Sequence, residues 1–124
     1  MGYHLIDPFE IEPTPDRPSK THWVSKAAGL ETLGLRVYDV APGEDIPLSG
    51  LHYHDQQEEV FYVLEGELGV ETPDEDYVVS PGEFFIADPG SPHRAYNATD
   101  ADDNAVVIAM GAPSVDDGHS YDPA

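Results

Sequence analysis

The amino-acid sequence predicts an all-β domain of the sandwich or barrel type. Three observations carry that expectation. Short runs rich in β-branched and aromatic residues recur between residues 33 and 110. Turn signals separate them at close intervals, among them Ala41-Pro42-Gly43, Thr72-Pro73-Asp74, Ser80-Pro81-Gly82 and Asp88-Pro89-Gly90. No stretch carries a helical pattern long enough for the crossovers of a parallel sheet. At 124 residues, a single domain follows.

Residues 1–30 read as an irregular N-terminal arm. Tyr3, Leu5 and Ile6 are compatible with a short strand, after which Pro8, Pro13, Pro15 and Pro18 exclude regular helix or central strand. Residues 24–31 allow one helical turn at most, because Gly29 interrupts them. The barrel proper is expected over residues 31–112. Its strands are 33–40, 46–54, 59–64, 67–71, 77–79, 83–87, 93–97 and 105–110. Residues 113–124, with Asp116, Asp117 and Asp122, read as a solvated acidic C-terminal tail. Strands 59–64 and 105–110 are apolar on both faces and therefore need a second layer. The arm or a second subunit would supply it, and a homodimer is expected.

Composition narrows the setting. Twenty-five Asp and Glu face five Lys and Arg, for a formal net charge of −20. Such a surface repels phosphate backbones and anionic headgroups, which argues against nucleic acid and membrane partners. It also opposes compaction at low salt, whereas at 1 M salt the Debye length is only about 3 Å. The composition is that of proteins from salt-accumulating archaea, so a halophilic, intracellular protein is expected. The absence of cysteine excludes disulfides, thiolate metal sites and a Cys nucleophile. The N-terminal residues lack the charge and apolar run of a signal peptide, and no run reaches membrane-helix length, so the expected location is cytoplasmic.

The histidines carry the chemistry. His52 and His54 are one residue apart, and alternation along a strand projects both from one face, as two-point coordination of an ion requires. His93 opens a later strand just after a Gly/Pro turn and can meet them inside a barrel. Glu58 or Glu59 would complete a set of nitrogen and oxygen ligands. Such a set suits a divalent transition metal (Fe, Mn, Ni, Zn or Cu) rather than Ca or Mg alone.

These residues fall in a pattern that resembles the cupin family. His52-Tyr53-His54, four residues, Glu59, six residues and Gly66 follow the first cupin motif from its first histidine onward. The motif's upstream glycine is missing, Gly50 being too near and Gly43 too far. Gly82, then Asp88-Pro89-Gly90, His93 and Asn97 follow the second motif's spacing, with Asp88 where proline is usual. The resemblance spans residues 33–111. It implies a double-stranded β-helix, or jelly-roll barrel, and makes His52, His54, Glu59 and His93 the metal ligands. The family spacing selects Glu59 over Glu58; strand parity does not, since both faces of this segment are apolar. The acidic composition is similar to that of haloarchaeal members.

Within the family resemblance, small cupins of this ligand set include dioxygenases, oxalate-type decarboxylases, sugar-phosphate isomerases and epimerases. The expected function is a metal-dependent enzyme of the dioxygenase or isomerase/epimerase type acting on a small molecule. The alternative is a non-catalytic module that binds a metal or small ligand. No dedicated general base stands out, with Tyr62, Tyr96 and Glu58 as candidates. Phe61, Val63, Phe84, Phe85 and Ile86 are candidate barrel walls. Alternation turns Tyr53 and Arg94 away from the ion, Arg94 toward outer carboxylates. His22 and Trp23 are expected to pack near the arm, and His4 and His119 to be bystanders. Asn97-Ala98-Thr99 matches a glycosylation sequon by chance, and Asp100, Asp102 and Asn104 fail as a calcium loop for want of Gly at 105 and Glu at 111.

Overall fold

Two antiparallel sheets face each other across one apolar core. The computed structural model describes residues 2–123; Met1 and Ala124, the ends of the predicted arm and tail, lie outside the described residues. The strands are β1 (Lys20–His22), β2 (Gly34–Val40), β3 (His52–His54), β4 (Glu58–Glu65), β5 (Leu68–Glu71), β6 (Asp76–Val79), β7 (Phe84–Ala87), β8 (Arg94–Tyr96), β9 (Ala105–Ala112) and β10 (Gly118–Ser120). One sheet runs β1-β2-β9-β4-β7. The other runs β6-β5-β8 and continues through a His52–His93 bridge into β3 and β10.

Side-chain alternation decides what lies between the sheets. The register pairs Phe61 with both Ala109 and Phe85, and Tyr38 and Val63 with Val107. These inner-face residues meet Leu68, Val70, Val79 and Ala95 of the opposite sheet, with Ile46 closing one end. The opposite parity sends Val60, Tyr62, Ile108 and Met110 to the outer face. Phe84 and Ile86, expected as barrel walls, belong there too, at 60% and 61% exposure; Phe85 between them points inward. None of the described helices is long and apolar enough to cross a membrane.

The arm and tail depart from expectation. Tyr3–Ile6 form no strand, and Tyr3 and Leu5 are exposed. Asp7 instead caps a single 3-10 turn at Pro8–Glu10, where proline's missing N–H is harmless. The ladder comes later, where Lys20–His22 pair with Val37–Asp39 at the sheet edge. A short helix, α1 (Val24–Ala28), then ends at Gly29 in the left-handed conformation. Of the predicted 46–54 strand only His52–His54 survives, because Pro47 has no donor and Gly50 takes a φ of 77°. The tail is not solvated throughout: Gly118–Ser120 pair with His54–His52, satisfying an otherwise open edge of β3.

Gly66, which ends the first motif, turns the chain between β4 and β5 at φ 72°, where the Asn104 carbonyl occupies the space a Cβ would need. Gly66→Ala should therefore cost more than the roughly 1–2 kcal/mol of a left-handed alanine. A urea midpoint unchanged from the parent protein would refute this constraint.

Candidate metal centre

The centre forms where the sheets meet at one end of the barrel. His52 and His54 project from one face of β3, and His93 enters from the strand paired with it, linked by reciprocal backbone bonds of 3.1 and 2.9 Å to His52. Glu59 crosses from β4 of the opposite sheet. Its parity with Phe61 and Val63 turns it inward and leaves Glu58 exposed on the other side. All four predicted residues are thereby brought together, and the Glu58 alternative is turned away.

Glu59 Oε1 lies 2.7 Å from His54 Nε2, 3.0 Å from His93 Nε2 and 4.0 Å from His52 Nε2. Ligand-type atoms of His52, Glu59 and His93, all buried, lie within 4.8 Å of one another. The other ring nitrogens are already engaged. His52 Nδ1–H donates to the Gly50 carbonyl at 2.9 Å, His93 Nδ1–H to the Ser91 carbonyl at 2.9 Å, and His54 Nδ1–H to Asp117 at 3.0 Å. Holding Nδ1–H fixes the tautomer and aims Nε2 at the centre.

Charge follows this geometry. Burial alone would disfavour ionised Glu59, but the His54 and His93 imidazoles beside its oxygen hold its carboxyl far below the ordinary carboxylate range. The bond to Glu59 raises the His54 pKa against the effect of burial, with Asp117 assisting. His52, with a longer reach to the carboxylate, is lowered by burial. Asp117 resists its own partial burial by accepting from the Gln56 and Gln57 amides at 2.7 and 3.1 Å and from His54, which lowers its pKa. Three imidazoles and one carboxylate, with no thiolate, form a donor set that fits a divalent transition ion and its borderline preferences.

A cavity of about 470 Å³ opens onto this cluster, bounded by His54 and Glu59 within and by Trp23, Arg36 and Tyr38 above. Tyr38 is a functional candidate that the sequence reading missed. Burial raises its phenol pKa, opposed by Arg36 and reinforced by Glu59. The missed signal is parity: Tyr38 and Arg36 share the inner face of β2 with Val40. The earlier general-base candidates lie elsewhere. Tyr62 stacks on Phe84 outside the barrel, Tyr96 lies against Arg94, and Glu58 is exposed. Arg94 and Tyr53 do face away, Arg94 pairing with Asp45 at 2.9 Å and Tyr53 stacking on His119. His119 itself contacts Asp55 at 2.7 Å. Asn97 is buried, and its amide bridges the carbonyls of Val40 and Asp103, which makes it structural rather than a glycosylation acceptor.

Comparison with known proteins agrees with this architecture. Residues 36–110 match the cupin domain model. Germin-like protein subfamily 2 member 4 of Arabidopsis thaliana is 36% identical over 96 residues, covering 72% of this chain and 42% of that protein. The chain thus spans less than half of that relative. A sugar phosphate isomerase of the cupin superfamily from Silicibacter pomeroyi superposes with TM-score 0.78 at 23% identity, covering 96% of this chain and 82% of that one. A polyketide cyclase from Streptomyces resistomycificus gives 0.80 at 17%, covering 98% and 87%. At these identities the likeness to solved structures speaks to the fold, and the domain match extends over more than half of the sequence: the chain belongs to the cupin family.

Proposed function

We propose that His52, His54, Glu59 and His93 hold a divalent transition metal, and that the protein is a metal-dependent enzyme of the isomerase or epimerase type. The carrying observation is the buried Tyr38 phenol, which shares one cavity with the metal cluster and has Arg36 and Glu59 as charged neighbours. A bound ion would act as a Lewis acid toward a substrate oxygen. Tyr38 carries its phenol proton, burial raising its pKa further. It can share that proton from Oη with a substrate oxygen that gains negative charge as the carbon-bound proton passes to solvent, taking it back when a solvent proton returns to carbon. Trp23 and Leu48 add apolar surface to the same cavity.

Two assays separate this reading from its rivals. Protein reconstituted with Mn, Fe or Zn should exchange substrate carbon-bound hydrogen for deuterium in D₂O without consuming dioxygen, and Tyr38→Phe should slow exchange by about 10²–10⁴-fold. Substrate-dependent oxygen uptake across a panel of diketones and catechols would identify a dioxygenase instead. Stoichiometric metal with no turnover on any panel member would identify a binding module.

The ligand set has its own test. His54→Ala should lose bound metal, measured by elemental analysis, while remaining folded by circular dichroism; full occupancy would refute the assignment. His54, its pKa raised, keeps a proton to higher pH that an incoming ion must displace. Zinc affinity should therefore increase as pH rises through that value. Calorimetry in buffers of different ionisation enthalpy should register proton release, and none released would contradict the geometry.

The reading extends to the setting. Arg94 is the only Lys or Arg ion-paired with a carboxylate among the described residues, so the acidic surface is largely uncompensated. That supports a protein adapted to a salt-rich cytoplasm. The outer rows Met110-Val60-Ile86 and Ile108-Tyr62-Phe84 form a continuous apolar strip and support a homodimer through this face. In molar KCl the thermal midpoint should exceed that in dilute buffer, and sedimentation should give a dimer that Phe84→Glu dissociates. Equal midpoints would end the salt-adaptation reading, and a monomer in molar KCl would end the dimer.

A further inference from the structure

The chain has five basic side chains among twenty-five acidic ones, and three of the five converge on one aromatic ring. Arg17, Lys26 and Arg36 lie 5.9, 5.6 and 6.0 Å from the ring centre of Trp23. They come from three separate places in the fold. Arg17 precedes β1, Lys26 lies on α1, and Arg36 stands on the inner face of β2 opposite Ala109. Lys26 reaches the ring locally, from the helix that Trp23 caps, and folding brings Arg36 of β2 to the same ring.

None of the three forms an ion pair with a carboxylate among the described residues, although carboxylates outnumber them heavily. Arg36 is the sharper case. It is half-buried, its guanidinium lies 5.9 Å from the Tyr38 ring centre, and its buried Nε–H has no hydrogen-bond acceptor among the described residues. Stacking on aromatic faces leaves in-plane N–H groups unsatisfied, so packing alone does not account for that donor. Arg17 is exposed at the rim of the same cavity that reaches His54 and Glu59. The cavity therefore has the candidate metal ligands His54 and Glu59 in its lining together with two guanidiniums that form no ion pair among the described residues.

We propose that the cavity takes a small organic oxyanion, and that Arg36 and Arg17 bind its carboxylate or phosphate group while another oxygen faces the metal cluster. A guanidinium presents a planar fork of donors that matches both groups. Glu59, Asp116 and Asp117 also line the cavity, so the two guanidiniums are the charged groups in its lining that attract an anion. This substrate class rests on the reading of the cavity as the substrate site, but not on metal being bound.

Trp23 is the only tryptophan in the chain and touches all three bases, so its fluorescence reports on the mouth. The full chain, stripped of metal by chelator, would be titrated at constant ionic strength with malonate, inorganic phosphate and neutral malonamide. Malonate, phosphate or both should give a saturable change, and malonamide none; which anion binds more tightly identifies the group. Arg36→Gln should weaken anion binding at least tenfold and Arg36→Lys should restore it only in part, because the charge returns without the fork. Lys20→Gln, which removes an exposed charge outside the cavity, should leave affinity unchanged. Equal responses to malonate and malonamide, no response to either anion, or unchanged affinity in Arg36→Gln would each overturn the proposal. Metal occupancy of Arg36→Gln, measured separately, should equal that of the parent protein. Loss of anion binding with occupancy intact therefore bears on the mouth alone, and an unoccupied cluster in a protein that still binds malonate would remove the metal reading alone.

Discussion

The whole barrel end is organised around one buried carboxylate. An ionised Glu59 without partners would cost several kcal/mol in the protein interior. The fold meets that cost by setting the Nε2 atoms of two imidazoles from the opposite sheet, His54 and His93, at 2.7 and 3.0 Å from it. Those rings can serve only if their orientations are fixed from behind, so each Nδ1 finds its own acceptor. For His54 that acceptor lies 63 residues further along the chain, at Asp117. The chain after the last core strand therefore cannot drift free. It doubles back, pairs with β3, and seats Asp117 beneath both the histidine and the Gln56 and Gln57 amides.

This explains which parts of the molecule were legible in the sequence. Motif spacing located His52, His54, Glu59 and His93, because spacing encodes the number of strand residues between turns and the turns are marked by Gly and Pro. The same alternation rule explains why Glu59, not Glu58, faces inward once the register with β9 is known; before that, an apolar strand gave parity nothing to choose between. Asp117 was hidden because its role depends on a contact with a distant strand, and an acidic residue in an acidic tail has no local signature. β1 was hidden for a similar reason: Lys20–His22 has little strand character of its own, and edge pairing with β2 supplies the order. Phe84 and Ile86 misled because hydrophobicity alone does not say which face of a sheet is covered.

The acidic composition sets a second constraint, which acts against the first. A net charge of −20 makes every further buried negative group harder to hold, since the surrounding field favours protonation. Glu59 escapes this because its partners are within hydrogen-bond distance, where local interactions exceed a screened, distributed field. Distant carboxylates at the surface interact across salt-filled solvent and are damped over a few ångströms at high ionic strength.

Together the two constraints assign a purpose to the N-terminal arm. Its prolines prevent it from extending into a long exposed edge strand, which in a sheet protein invites unwanted pairing. Only Lys20–His22 of it join the sheet, and they do so at the edge beside β2. That docking places Trp23 over Arg36 and brings Arg17 to the rim. Without the arm, Arg36 would stand at an open barrel end, surrounded by water and by a field that attracts cations instead of anions. With it, the half-buried Arg36 guanidinium is held near the Trp23 and Tyr38 rings, where its charge is less screened than at the surface. The arm thus gathers two guanidiniums at the mouth of an otherwise negative protein, in a cavity that Glu59, Asp116 and Asp117 also line, and no carboxylate among the described residues forms an ion pair with either.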